Sequence, residues 1–507
     1  MPYQGGSIQL GPWTEGVVYN RPPEDVAANE LSGMRNCRIN AAGAVEKRKG
    51  FASFNDQSAI SGTPTVTGAH EYDYTSSASH TVITAGDKIF YYNSGWTDIT
   101  GSVTITAQTA GDDNTFSFVT TGEKSSNNNR MVATNGVNPP IVWNASDASV
   151  SVLGLDSRFT TAQHIAWWDN RLWCANTNAD DNRIWRSNIL DIETWGATDF
   201  YNVGSAITAI VPTQSYLAIH TEDGIHTLTP TGNTSIPFQL QQTSQAGTIS
   251  SRACITLPNE RQVFVRPDGV YMWAGSEEIN KISYALDDGY WPNLNASRLK
   301  KTHAVYYPSV NEVWFFVPKG SASKMNECII YNERFNIWFG PYDNFERCCS
   351  ALINEEPHAG GYNGKLYDMV SAGYNDDGNQ PIEANFTTGA PAPSGSDVSL
   401  RWLYGRTFFD AVGNYNVLVT QESGGLTASA NLINLEDAGF ELDVDSLNQG
   451  KLGTLRMISA DTDLSGYDSQ CTLNYNNGVV DQHFRIRRST MVYRPIGRMR
   501  RAKSGVS

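Results

Sequence analysis

From His164 to Trp195 the chain reads HIAWWDNRLWCANTNADDNRIWRSNILDIETW, a short aromatic-rich apolar stretch, a tight polar turn, a second apolar stretch and another polar break. Apolar stretches of this length, rich in aromatic and β-branched residues and bounded by Asn, Asp and Gly, predict strands joined by hairpin turns. The plan recurs with variations along the middle of the chain. Antiparallel sheets this small cannot bury their own apolar faces and must pack side by side, as the blades of a β-propeller do.

The recurring units run from about residue 61 to 378. HTVITAGDKIFYYNSGWTDIT turns at Ala85-Gly86-Asp87, and RMVATNGVNPPIVWNASD turns at Asn135-Gly136. Beyond the His164 unit come ITAIVPTQSYLAIHTEDGIHTLTP and RQVFVRPDGVYMWAGSEEI. HAVYYPSVNEVWFFVP then leads into ECIIYNERFNIWFG, and HAGGYNGKLYDMV closes the set. Each turn carries Gly, Asn, Asp or Pro, which reach turn dihedrals at low cost. This predicts six or so blades, without the GH…WD pattern of WD40 repeats or the spacing of kelch repeats.

The flanks differ. Residues 1–60 read as an amino-terminal arm with entry strands. Pro22-Pro23 stops any earlier element, and the acidic start at Glu24 predicts one short helix reaching Met34. Cys37 to Asn40 and Val45 to Arg48 read as strands around the Asn40-Ala41-Ala42-Gly43 turn, and the basic run Lys47 to Lys49 reads as a solvated strand edge. Residues 379–507 open with the Pro-, Gly- and Ser-rich NQPIEANFTTGAPAPSGSD and continue as long strands, which predicts a β-sandwich or platform ending in a basic tail. The expected fold class is therefore all-β, a β-propeller with an additional C-terminal β-sandwich-like or platform domain.

Composition narrows the function classes. No stretch approaches the roughly 18 apolar residues of a membrane span, and the amino terminus lacks the basic start and apolar core of a secretory signal. Seven cysteines, scattered without metal-ligand spacing, read as reduced packing residues made in a cytoplasm. A net charge of −15 argues against gripping nucleic acid over most of the surface. Such acidity keeps a protein soluble, and it also suits a channel through which DNA must slide without sticking. From Arg485 onward, by contrast, there are seven arginines and one lysine and no acid.

No nucleophile elbow, zincin helix, Walker loop or paired-cysteine zinc pattern occurs, so no catalytic, cofactor or metal residue is nominated. His220 and His226, on either side of the Asp223-Gly224 turn, read as a cross-strand packing pair rather than metal ligands. The acidic doublets at Asp112-Asp113, Asp180-Asp181 and Asp376-Asp377 match no calcium loop and read as turn residues. Aromatics at alternating strand positions read as packing between blades. Were they exposed on one face, they would stack on sugar rings, and a carbohydrate-binding propeller or depolymerase is the competing reading.

Two chain ends and the middle units together resemble one family. GPWTEGVVYN…NELSGMRNCRINAAGAVEKRKGF is similar to the start of the tail nozzle proteins of short-tailed bacteriophages, with a G…P…N…G…KR-G-F frame before a propeller. HIAWWDNRLWCAN, SYLAIHTEDGIHTL and RQVFVRPDGVYMWAG look like the family's blades, and FRIRRSTMVYRPIGRMRR resembles its carboxyl terminus. The resemblance implies a non-enzymatic virion subunit assembled in the host cytoplasm, as a homo-hexameric ring below the tail adaptor protein. It would neighbour tail fibre or needle proteins, extend the DNA channel, retain the genome without sequence recognition and open for ejection. Expected subunit contacts are Trp13, Tyr19 and Arg21 in the arm, and Arg487, Arg488, Arg494, Arg498, Arg500 and Arg501 in the tail. Asp112, Asp113, Asp180 and Asp181 are the expected acidic residues of the lumen.

Overall fold

A computed structural model describes residues 5–107, 114–122, 129–155, 157–371, 373–393, 398–410, 415–423, 426–434, 456–460, 464–468, 472–479 and 482–498. The repeats fold as seven antiparallel four-stranded sheets. Six are continuous in sequence, at residues 66–98, 117–152, 162–202, 207–244, 254–281 and 303–342. The innermost strand of each contacts that of the next, and Arg347–Ile353 of the seventh contacts Val66–Thr75 of the first, so the ring is closed. The middle of the chain is a seven-bladed propeller.

Closure draws on a distant segment. Residues 347–368 supply only three strands of the seventh blade, and Ala52–Ser53 adds the fourth, pairing Ser53 with Tyr367 and Ala52 with Asp368. The first and last blades therefore share a core in which Phe54, Val66, Ile83, Cys349, Ile353 and Leu366 are buried together.

Strand periodicity explains why the blades read as nearly continuous apolar runs. Successive side chains point to opposite faces of a strand, and a middle blade is covered on both faces. In Arg171–Thr177, Leu172 and Cys174 pack toward the second blade with Val132 and Val142, whereas Trp173 and Ala175 pack toward the fourth with Leu217 and Ile219. The hairpin before this strand turns through Asp169 and Asn170 at φ of 50° and 56°. Two consecutive left-handed residues make the type I′ turn that matches strand twist.

The two chain ends build one β-sandwich. Gly6–Leu10, Cys37–Ile39 and Val45–Lys47 join Val398–Asp410, Arg456–Ala460, Leu464–Asp468 and Arg485–Arg498 in a seven-stranded sheet. Leu31–Arg35 joins Ala384–Thr388, Tyr415–Ser423, Leu426–Asn434 and Thr472–Asn477 in a five-stranded one. Phe386 stacks on Tyr475 at 4.3 Å and meets the edge of Trp13 at 5.4 Å. The Cys37–Ile39 and Leu31–Arg35 strands also lie against the outer strand of the sixth blade, Ile337–Tyr342. One continuous apolar core thus runs from sandwich to propeller.

The predicted helix from Glu24 to Met34 does not form. Only Pro23–Asp25 makes a 3-10 turn, and Leu31–Arg35 is a strand paired with Ala384–Thr388. The segment has residues for little more than three helical turns and includes Asn29, Ser32 and Gly33, so its local preference is weak. Burial of Leu31 and Met34 in the sandwich core outweighs it.

The solvated strand edge at Lys47 to Lys49 is also corrected, because Lys47 and Arg48 are each 1% exposed. Lys47 Nζ donates to Asn477 Oδ1 at 3.1 Å and to the Val479 carbonyl at 2.8 Å. Arg48 donates through both terminal nitrogens to the two carboxylate oxygens of Asp376, each at 2.7 Å. A charge leaves water only when every donor finds a geometric partner, and both partners lie more than 300 residues away.

Six cysteines are free and buried, and Cys471 lies outside the described residues. His220 and His226 do not face each other. His220 is opposite Ile225, and His226 is opposite Ile219. His220 Nε2 instead meets Gln262 Oε1 at 2.8 Å.

Burial pushes His70, His164 and His220 each down to about 4 from 6.5. Above pH 6.5 both folded and unfolded forms are neutral. Below it the unfolded chain binds protons that the folded chain refuses, so stability falls as pH drops toward 4, by about 1.4 kcal/mol per pH unit per histidine at most. Urea midpoints should be flat from pH 8 to 7 and fall steeply from 6.5 to 4.5. A flat profile across that window would contradict the assignment of these histidines as neutral in the folded chain.

Candidate functional site

The beginnings of the innermost strands of the second to sixth blades gather at one end of the propeller channel. There they surround a cavity of about 360 Å³, and its lining includes Thr115, His164, Glu222, Arg252, Lys300 and Lys301. Arg252 ties three blades together at this mouth. Its Nη1 donates to the Cys348 carbonyl and its Nη2 to the Lys301 carbonyl, both at 2.6 Å. Lys300 is exposed and Lys301 half-buried, at the end of the short 3-10 turn Leu299–Lys301. His164 is 4% exposed, and its Nε2 is buried without a hydrogen-bond partner.

Among the described residues, the charged groups lining the cavity are Arg252, Lys300, Lys301 and Glu222, and burial pushes the His164 imidazole down to about 4. Among the described residues no group of three or more His, Cys, Asp or Glu side chains is arranged to hold a metal ion. The RLKK run at residues 298–301, directly before an inner strand, was the sequence signal for this site.

A second charged region is the seam between sandwich and propeller. Arg38 Nη2 donates to Glu312 Oε1 at 2.8 Å, and Arg35 pairs with Asp343. Burial alone would raise the Glu46 carboxyl, but His483, Arg38 and Arg485 outweigh it and hold it at about 2. The G…KR-G-F frame is the clasp of this seam. A Cβ on Gly50 would lie 1.8 Å from the Asn375 carbonyl oxygen, so only glycine fits. Phe51 packs edge-on against Phe345 and Tyr367, and the Arg347 guanidinium lies 4.3 Å from its ring centre.

The expected contact residues fall in different environments. Trp13 is fully buried in the core of its own sandwich, so it is a folding residue and presents no face to another subunit. Tyr19 stacks on Tyr290 at 5.7 Å and donates to the carbonyls of Met34 and Gly340, which binds the arm to the propeller of the same chain. Arg21 is exposed and paired with Glu30.

The expected basic tail is a strand as far as Arg498, held between the Val398–Asp410 strand on one side and the Gly6–Leu10 and Val45–Lys47 strands on the other. From this strand Arg487, Arg488 and Arg494 are exposed. Arg487 bonds Asp410 at 2.6 Å, and Arg488 lies 4.5 Å from the Phe408 ring centre. Arg498 ends the strand, while Arg500 and Arg501 lie outside the described residues, as do Asp112 and Asp113. Asp180 pairs with Arg183 at 2.9 Å, and the Asp181 carbonyl accepts the Ile207 N–H at 2.8 Å. Their turn joins the second and third strands of the third blade, one strand out from the innermost ring.

No family model matches the sequence, and no curated protein matches it. Solved structures do share similarity. The extracellular domain of a hybrid two-component system from B. thetaiotaomicron is 11% identical, with a TM-score of 0.41 over 73% of this chain and 44% of that one. This chain thus spans less than half the length of that protein. YCF48 from Cyanidioschyzon merolae is 9% identical, with a TM-score of 0.36 over 61% of this chain and 97% of that one. An exo-β-1,3-galactanase from Phanerochaete chrysosporium is 10% identical, with a TM-score of 0.27 over 96% of this chain and 100% of that one. At these scores the seven closed blades are established by the chain's own strand pairing.

Proposed function

We propose that this chain is a structural, non-catalytic subunit of a short-tailed phage tail, one copy of a homo-hexameric nozzle ring that continues the DNA channel below the adaptor. One observation carries the reading. The opening frame, through its Cys37–Ile39 and Val45–Lys47 strands, and the closing basic segment, the two stretches that resemble the nozzle family, lie side by side in a single sheet of the sandwich. In the frame Lys47 is bonded within the sandwich, Arg48 and Gly50 lie against Asp376 and Asn375, and Phe51 packs on Tyr367 of the seventh blade. A rigid body of this kind suits the heterologous, ring-closing contacts of a cyclic assembly. The exposed arginines of the Arg485–Arg498 strand, against a chain of net charge −15, suit docking to a neighbour's acidic face.

The test is an antibody label raised against this chain and imaged on intact virus particles by electron microscopy. Label confined to the distal tail, in sixfold stoichiometry, is the expected result. Particles that bind none would sink the proposal.

A further inference from the structure

We propose that the outer strand of the fourth blade, Ile236–Ser244, pairs edge to edge with the same strand of a second copy of this chain. The contact is two-fold and so is separate from the cyclic contacts of the proposed ring. Strand length is the first feature that points to it. The outer strands of the first, second, third, fifth and seventh blades are Trp96–Asp98, Ser151–Val152, Phe200–Asn202, Ile279–Lys281 and Ala52–Ser53, two or three residues each. The six-residue outer strand of the sixth, Ile337–Tyr342, lies against the sandwich. Short or covered edges give another strand little to pair with. Ile236–Ser244 has nine residues, and among the described residues no strand pairs with its outer side.

The second feature is the direction of its backbone groups. Thr221 is opposite Gly224 across the two-residue turn at Glu222-Asp223, and residues flanking such a turn bond each other. Backbone groups alternate sides along a strand, so Gly224, His226 and Leu228 face inward while Thr227 and Thr229 face the outer strand. Their partners there are Gln241 and Gln239. The N–H and C=O groups of Leu240 and Gln242 therefore point away from the blade. Phe238, 5.4 Å from Trp168 and 5.2 Å from Trp173 between ring centres, holds the strand in place. A cleft of about 410 Å³ beside Gln241 to Gln245, with Gly275, Ser276 and Glu277 as its other wall, leaves room along this edge.

Charge identifies the occupant. Two copies of net charge −15 repel unless they meet where neither is charged. From Gly224 to Ser251 the chain has no Asp, Glu, Lys or Arg, so self-pairing sets no like charges opposite each other. Among the described residues the charged group lining the cleft is Glu277, which disfavours a nucleic acid there. In the antiparallel pairing Leu240 of one copy exchanges both backbone bonds with Gln242 of the other, and the reverse. Gln241 then faces its own counterpart in a non-hydrogen-bonded pair, with Cα atoms about 4.5 Å apart. One seam of this size makes a weak, reversible dimer.

Disulfide trapping in the full chain tests this. Gln241→Cys, mildly oxidised, should give a covalent dimer on non-reducing electrophoresis, because that spacing suits a disulfide. Thr234→Cys, at the exposed tip of the same hairpin and roughly 20 Å from the two-fold axis, should stay monomeric, as should the wild type. Adding Gln242→Pro to the Gln241→Cys chain removes an outward N–H and no bond within the blade. It should slow trapping roughly tenfold, since each copy loses a hydrogen bond. Unchanged thermal midpoints of the reduced chains would confirm that all are folded. A Gln241→Cys chain that stays monomeric, or a dimer that forms equally with Thr234→Cys or is unaffected by Gln242→Pro, would overturn the proposal. The ring reading is judged separately, by the label on the tail.

Discussion

A chain that begins at residue 54 should not reach a cooperatively folded state. The truncation removes the outer strand of the seventh blade, three strands of one sandwich sheet and one of the other. It also strips out Trp13, Val17, Leu31, Ile39, Val45 and Phe51, all buried in the main core. At about 1.5–3 kcal/mol for each buried apolar side chain, the loss is on the order of 10 kcal/mol, comparable to the whole stability of an ordinary domain. An open seventh blade would in addition expose the unpaired edge of Leu366–Asp368, a template for aggregation. Soluble yield, near-ultraviolet circular dichroism and thermal unfolding of the shortened chain measure this. A soluble product with a sharp transition would show that the propeller closes without its amino-terminal strand.

The second large effect lies at the clasp. Asp376→Ala should cost about 3–5 kcal/mol, because it leaves the Arg48 guanidinium buried without its carboxylate. Arg48 is 1% exposed and Asp376 4%. Arg48 also bonds Asn36 Oδ1 at 2.9 Å and lies 4.6 Å from the Phe345 ring centre, so it has little room to swing toward water. The double substitution Arg48→Met with Asp376→Leu should recover much of the loss, since two apolar groups need no ionic partner. Urea midpoints of the wild-type, single and double variants report both effects. A loss below about 1 kcal/mol for Asp376→Ala would place the pair in the weak class of exposed ion pairs.

Much of the fold was written in local pattern. Aromatic and β-branched runs punctuated by Asp169-Asn170, Asp223-Gly224 and Asp268-Gly269 predict strands and hairpins, because turn dihedrals and the two-residue strand period are properties of short segments. Such features need only a few neighbouring residues to be recognised.

What the tertiary structure alone decided was every pairing across long sequence distance. Seven blades close because Ala52–Ser53 reaches Tyr367, a contact that no periodicity encodes. The strand at Leu31–Arg35 overrode a weak helical signal, because burial against Phe386 and Tyr475 outweighs a local preference of a few tenths of a kcal/mol per residue. Lys47 and Arg48 look like surface residues until Asn477 and Asp376 are brought beside them, and Trp13 looks like a contact residue until the sandwich encloses it. The cavity lined by Arg252, Lys300 and Lys301 is assembled from blades that only the closed ring makes neighbours. Local segments determine element type, whereas the burial and ionic environment of a side chain depend on partners that only folding supplies.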